Sequence, residues 1–146
     1  DDSKKTDIVD QDNKTNDDKI LDIFKNAINK ENLKIEVKAL KSENVSGMVL
    51  ESEQIKRMKS MNNFMKGNAG PVFEDLTLVI NSNNALVQDI SKLNGKSEKE
   101  ELVTKLCNHV FDLAKMSKQH LSGEQMQAFI QRSNELMSEL SAKSNS

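Results

Sequence analysis

The architecture of this chain is set by SEKEELVTKLCNHVFDLAKMSKQHLSGEQMQAFIQRSNELMSELSA, residues 97–142. Its apolar residues recur at three- and four-residue steps in each half, which predicts two amphipathic helices. Those residues are Leu102, Val103, Leu106, Cys107, Val110, Leu113 and Ala114, then Met126, Phe129, Ile130, Leu136, Met137 and Leu140. Ser97 with Glu100, and Ser122 with Gln125, have the spacing of helix-opening capping boxes. Apolar stripes of this length need a partner, either the rest of the chain or a second copy of it.

Composition limits what the chain can do. Its 146 residues suit one domain, or one domain with a tail. Aromatic residues make up 3%, all of them Phe, and the formal net charge is -2, so nucleic acid is not expected as a partner. A single Cys excludes an internal disulfide and suits a reducing, cytoplasmic compartment. No apolar run approaches the ~20 residues that cross a bilayer, so no membrane partner is expected.

Upstream of these helices, the periodicity predicts a small α+β domain. Residues 1–17 are polar and are interpreted as a flexible linker, and residues 18–146 as one domain. The predicted elements are a helix from Ile20, strands at Leu33–Ala39, Met48–Leu50 and Leu76–Ile80, and a helix over Leu86–Leu93 ended by Gly95. The strands would form a three-stranded sheet with flanking helices.

A further helix is predicted after Ser52, and it is unusually rich in methionine. One side carries Ile55, Met58, Met61, Phe64 and Met65, whereas Lys and Arg fall mainly elsewhere. Methionine is flexible and polarizable, and it is common at surfaces that accept varied partners. The same stripe could simply pack on the sheet. Periodicity alone leaves both interpretations open.

Catalytic chemistry is poorly supported by the sequence, and no enzyme activity, cofactor or metal site is expected in this chain. Motifs for nucleotide, zinc or acyl-transfer chemistry are absent. His109 and His120 would lie about 16 Å apart along one helix, too far to share a metal ion, and both are interpreted as surface residues. Cys107 lies on the apolar stripe, where a small buried hydrophobic residue is the favoured interpretation over a reactive thiol.

Three ordered segments resemble the C-terminal end of the ninety-kilodalton heat-shock chaperone family, bacterial HtpG type. They are LCNHVFDLAKMSKQHLSGEQMQAFIQRSNELM (residues 106–137), TLVINSNNALVQ (residues 77–88) and the methionine-rich helix after SGMVLES (residues 46–52). The resemblance runs from about Asp18 to the end of the chain. The missing initiator Met fits the expectation of a piece of a longer protein.

The resemblance implies a homodimer in which the last two helices of each copy form a four-helix bundle. The implied helices are Glu98–Met116 and Gly123–Leu140. The predicted interface residues are Leu102, Leu106, Val110, Phe111, Leu113, Met126, Phe129, Ile130, Leu136 and Met137. The resemblance also implies that Ile55, Met58, Met61, Phe64 and Met65 contact unfolded client proteins. ATP and Mg²⁺ would be bound only by upstream domains of the parent chaperone.

An alternative from another class stays open. A free-standing helical adaptor or regulatory protein would use the same apolar stripes to bind a helix of a different protein. It would need no upstream domains and no second copy of itself.

Overall fold

The computed structural model describes residues 16–51 and 76–144, and in these ranges the chain is an α+β structure, as predicted. Its elements in order are helix α1 (residues 16–28), strands β1 (Leu33–Lys38), β2 (Gly47–Glu51) and β3 (Leu76–Asn81), and helix α2 (Ala85–Leu93). A 3₁₀ turn (Ser97–Lys99), helix α3 (Glu100–Met116) and helix α4 (Gly123–Ser144) complete the list. The three predicted strands are therefore confirmed. The predicted methionine-rich helix lies outside the described residues.

The sheet is mixed and has the strand order β1-β3-β2. β3 runs parallel to β1, with Leu33 opposite Leu76, and antiparallel to β2, with Gly47 opposite Ile80. A central strand is covered on both faces, which explains why β3 reads as the nearly continuous apolar run LTLVI. β1 lies at an edge and alternates instead, with the Glu36 carboxylate between two lysine ammonium groups on its wet face.

One hydrophobic core joins α1, the sheet, α2 and α3. α1 contributes Ile20 and Phe24, both fully buried, so this helix belongs to the domain from residue 16 onward. α3 packs against β2 and α2. Gly47 permits the close approach of β2 to β3 and α3, because a Cβ there would lie 3.2 Å from the Val79 carbonyl oxygen and 3.4 Å from Val110 Cγ1.

Asn81 ties the loop between β1 and β2 to the end of β3. Its side chain is fully buried, and Nδ2 donates to the carbonyl oxygens of Ser42 (2.8 Å) and Val45 (2.7 Å). Oδ1 accepts from the backbone N–H groups of Leu40 (2.9 Å) and Asn83 (3.0 Å). One amide therefore satisfies four backbone groups, three in that loop and one in the turn after β3, that would otherwise be left without partners.

The turn after β3 begins α2, as predicted. The Val87 N–H donates to Asn84 Oδ1, which makes Asn84 the N-cap of α2. Gly95 follows the C-terminus of α2 with a φ of 95°, the left-handed conformation that the predicted stop requires.

Of the two predicted capping boxes, one is confirmed and one is wrong. The Gln125 N–H donates to Ser122 Oγ (3.2 Å), and the Ser122 N–H donates to Gln125 Oε1 (3.0 Å), so α4 begins with a complete box. The box at Ser97 does not form. Residues Ser97–Lys99 make a 3₁₀ turn in which the Glu100 N–H bonds to the Ser97 carbonyl oxygen, and Lys99 stands at the N-cap without a side-chain bond.

Candidate functional site

α4 lies on the outside of the domain and packs along α3. It is 22 residues long, and none of its residues is buried. α3 has the opposite character, because one side of it enters the core through Val103, Cys107 and Val110. The pairs Lys105–Glu139 and Asp112–Arg132 show that the two helices run antiparallel. α3 and α4 therefore form a hairpin with one helix rooted in the core and the other at the surface.

A stacked ring pair lies in the seam between the two helices. The His109 imidazole lies on the Phe129 ring, with centroids 4.4 Å apart and planes 5° from parallel. His109 Nε2 is 3.1 Å from Ser133 Oγ, and Nδ1 is 3.4 Å from Arg132 Nη1. Arg132 Nη1 also donates to the Asp112 carboxylate at 2.9 Å. The seam therefore combines polar and aromatic contacts, because the His109 ring stacks on Phe129 and also makes the contacts to Ser133 and Arg132.

The sequence prediction of a surface histidine is wrong for His109, although His120 is exposed. Burial lowers the pKa of His109, the Arg132 guanidinium lowers it further, and the Asp112 carboxylate opposes them. A weak signal was present in the sequence. His109 and Asp112 are three residues apart and share a face of α3. Their partners on α4 could not be read without the register of the hairpin.

One edge of the hairpin is ionic. Lys105 Nζ lies 3.5 Å from a carboxylate oxygen of Glu135 and 3.9 Å from one of Glu139, both on α4. Glu101, on α3 itself, is 3.7 Å from the same ammonium. Partly exposed pairs of this kind add little stability, because solvent and salt screen them.

The other edge is apolar. Ile130 is two residues, or about 200°, from Arg132 around α4, so the two side chains leave the helix on nearly opposite sides. Met137 follows Ile130 by seven residues and shares its direction. We call this the apolar edge; it comprises Leu102, Leu106, Leu113, Met126, Ile130, Met137 and Leu140. Four of these are strongly exposed: Leu113 (48%), Ile130 (52%), Met137 (56%) and Leu140 (67%).

The predicted interface residues separate into three groups. Leu102, Leu106, Leu113, Met126, Ile130 and Met137 lie on the apolar edge. Phe129 and Leu136 are half-buried on the α3 side of α4. Val110 and Phe111 are 1% and 3% exposed in the core of the chain, and the ammonium groups of Lys30 and Lys115 lie over the Phe111 ring. Val110 and Phe111 therefore stabilise the fold and present no free surface to a partner.

The five residues predicted to contact client proteins, Ile55, Met58, Met61, Phe64 and Met65, lie outside the described residues.

Reactive groups in the described ranges are few. Cys107 is fully buried, and burial raises the pKa of its thiol to about 12, so it behaves as the small hydrophobic residue that the sequence predicted. A cleft of about 540 Å³ between α1 and α3 carries the carboxylates of Asp18, Asp22 and Glu100. Across residues 16–51 and 76–144, no three His, Cys, Asp or Glu side chains are placed to hold a metal ion. None of the helices in those ranges combines the length and apolarity needed to cross a membrane.

Comparison with models of known protein families gave no match, and comparison with curated protein sequences gave none either. The candidate site is therefore defined by its own geometry. It is a helical hairpin with an ionic edge, a polar seam and an exposed apolar edge.

Proposed function

We propose that this chain is a homodimerization and client-contact module of a cytoplasmic, ATP-dependent molecular chaperone. The observation that carries the dimer is α4, a 22-residue amphipathic helix without a buried residue, whose apolar edge is exposed. A stripe that no part of the described chain covers favours a partner with a matching stripe. A second copy supplies one by symmetry, since a two-fold axis brings the same edge of each hairpin together.

The dimensions suit a four-helix bundle. A helix of 22 residues is about 33 Å long. Two hairpins of this length that meet along their apolar edges give the antiparallel, layered arrangement of such bundles. Burial of apolar surface contributes about 25 cal/mol per Å², and stable interfaces bury roughly 1,600 Å² in total. The seven side chains of the apolar edge, counted on both copies, provide the centre of such an interface.

The chaperone assignment rests on the resemblance of three ordered segments to the ninety-kilodalton heat-shock family. A permanent dimer contact at one end of a long protein raises the effective concentration of the opposite ends. Their association then becomes intramolecular and can follow the nucleotide state. This chain would hold the two copies together, and it would carry no ATPase chemistry of its own.

The double variant Ile130→Glu, Met137→Glu is expected to weaken self-association by at least ~100-fold, because burying each side chain contributes about 1.5 kcal/mol or more. Both positions are exposed, so the helical circular dichroism signal should persist. Leu106 is a poorer probe because it also packs against the core. Light scattering on size-separated samples across a dilution series measures the effect.

Ala128→Glu is the matched control, because it adds a negative charge to an exposed position of α4. Ala128 precedes Ile130 by two residues, about 200° around the helix, so it points away from the apolar edge. The control should dimerize like the parent chain. Equal affinity of the double variant and the control would refute the interface. A parent chain that stays monomeric at millimolar concentration, yet binds an added amphipathic helix through Ile130, would establish the adaptor alternative instead.

For client contact, the double variant Met58→Ser, Met61→Ser is expected to leave the thermal midpoint of the chain within about 2 °C of the parent. The variant should lose at least half of the protection against aggregation that the unsubstituted chain gives to a heat-unfolding reporter protein. Turbidity of the reporter measures this loss. Met48→Ser, at an exposed methionine on β2, is the control and should retain protection. A large fall in the thermal midpoint would show that Met58 and Met61 belong to a core helix.

A further inference from the structure

The hydrogen bonds in the seam specify one protonation state of His109. Arg132 is a donor only, so His109 Nδ1, 3.4 Å from Arg132 Nη1, must be the unprotonated nitrogen that accepts. The ring proton then resides on Nε2 and is donated to Ser133 Oγ at 3.1 Å. The contact network is therefore complete only with a neutral imidazole of this tautomer.

A proton on Nδ1 reverses that arrangement. It places an N–H of an imidazolium against an N–H of the guanidinium, so a hydrogen bond becomes a contact between two donors and two positive charges. The nearest compensating group, the Asp112 carboxylate, already accepts from Arg132 at 2.9 Å. One turn away, Lys105 faces Glu135 and Glu139, so these charges are paired with one another.

The consequence falls on α4 because of how that helix is held. None of its residues is buried, and its polar contacts to α3 include those of the seam and of Lys105. A change in the hydrogen bonds of the seam therefore acts directly on the contacts between α4 and α3. The remainder of α3 is rooted in the core through Cys107 and Val110, so α3 is not expected to move with it.

We propose that the α3–α4 seam is a proton-sensitive joint, in which uptake of one proton by His109 releases α4 from α3. The joint itself follows from the seam geometry. Its consequence for assembly rests on the proposed function: α4 carries four of the seven residues of the apolar edge, so release of α4 also dissolves the dimer. The module would separate on acidification and reassemble on return to neutral pH.

The sign of the pH effect follows from linkage. The folded hairpin disfavours the proton, whereas the released state titrates near the ordinary imidazole value of about 6.5. Packing of α4 is therefore fully present above that pH and is lost as the pH falls through the lower pKa of the packed state. Burial and the Arg132 guanidinium are the causes of that lower pKa.

Hydrogen exchange of the α4 amides between pH 7.5 and 5, corrected for intrinsic exchange rates, tests the joint. We expect the protection of α4 to fall at least ~5-fold over this range, while protection of the α3 amides around Cys107 is retained. Proton NMR should show the His109 ring titrating below about 6.5. The chain contains two histidines, so the ring signal that is lost in His109→Gln belongs to His109, and the one that remains belongs to His120.

Two variants make the result decisive. Glutamine at position 109 can accept from Arg132 and donate to Ser133 without titrating, so His109→Gln should remove the pH dependence of α4 protection. Arg132→Gln removes the opposing cation and should raise the His109 midpoint. Identical pH dependence in the parent and His109→Gln would overturn the proposal, as would a His109 midpoint at or above 6.5.

Light scattering at pH 7.5 separates this result from the proposed function. A monomer at neutral pH whose α4 protection still depends on His109 would leave the joint standing and remove the dimer. A dimer at neutral pH whose α4 protection is independent of His109 would keep the dimer and overturn the joint.

Discussion

Replacing Asn81 by aspartate is expected to lower the free energy of unfolding by roughly 3–5 kcal/mol. Domains are typically stable by about 5–15 kcal/mol, so this loss is most of the stability of a domain at the low end of that range. The change is isosteric, so it leaves no cavity. It removes the Nδ2 donor and sets a carboxylate oxygen against the Ser42 and Val45 carbonyls, which now lie 2.8 and 2.7 Å from Nδ2. Urea denaturation followed by far-ultraviolet circular dichroism at pH 7 measures the loss.

Asn83→Asp is the control for this chemistry. Its Nδ2 also donates to a backbone carbonyl, that of Leu40 at 2.8 Å, but at an exposed site where water can replace the bond. Its cost should stay below about 1 kcal/mol. Similar losses in the two variants would show that the four bonds of Asn81 do not act as a buried unit.

Replacing Phe24 by alanine is expected to cost roughly 3–5 kcal/mol, through lost apolar burial and the cavity left behind. Phe24 is fully buried in the core cluster, on a helix that begins at residue 16. The Asn108 side chain of α3 also donates to the Ala27 carbonyl oxygen near the end of α1, at 3.1 Å. Urea denaturation at one fixed protein concentration measures the effect, because any contribution from association is then the same in the parent chain and the variant.

Lys25→Ala, at the next and exposed position of α1, is the matched control. It should change the free energy of unfolding by no more than about 0.5 kcal/mol. A comparably small effect of Phe24→Ala would show that α1 is dispensable, and the domain would then begin later in the chain than the core suggests.

The division of the α3–α4 hairpin into two edges links stability to the proposed assembly. The ionic edge pairs Lys105 of α3 with Glu135 of α4 at the surface. The apolar edge, with Ile130 and Met137, is exposed, and it is the surface that the proposed dimer would cover. His109 lies in the seam between the two edges. In the proposed joint, its protonation state changes the position of the apolar edge, although His109 itself is not part of that edge.

Much of the fold could be predicted from local pattern. The alternation from Leu33 to Lys38, the unbroken apolar run of β3 and the Ser122–Gln125 box each encode an element, because backbone geometry repeats over two or 3.6 residues. The prediction of a box at Ser97 was wrong although its residue types were right. The chain forms a 3₁₀ turn there, so the Glu100 N–H donates to the Ser97 carbonyl oxygen and not to the Ser97 hydroxyl.

Helical spacing was enough to establish which residues of α3 and α4 share a face, because it sets a direction around each helix axis. What occupies each direction came from tertiary packing. Packing placed Val110 and Phe111 in the core, left Ile130 and Met137 exposed, and brought Arg132 to His109. The physical reason is that these contacts join residues more than twenty positions apart, and their register depends on how two whole surfaces pack together rather than on any local repeat.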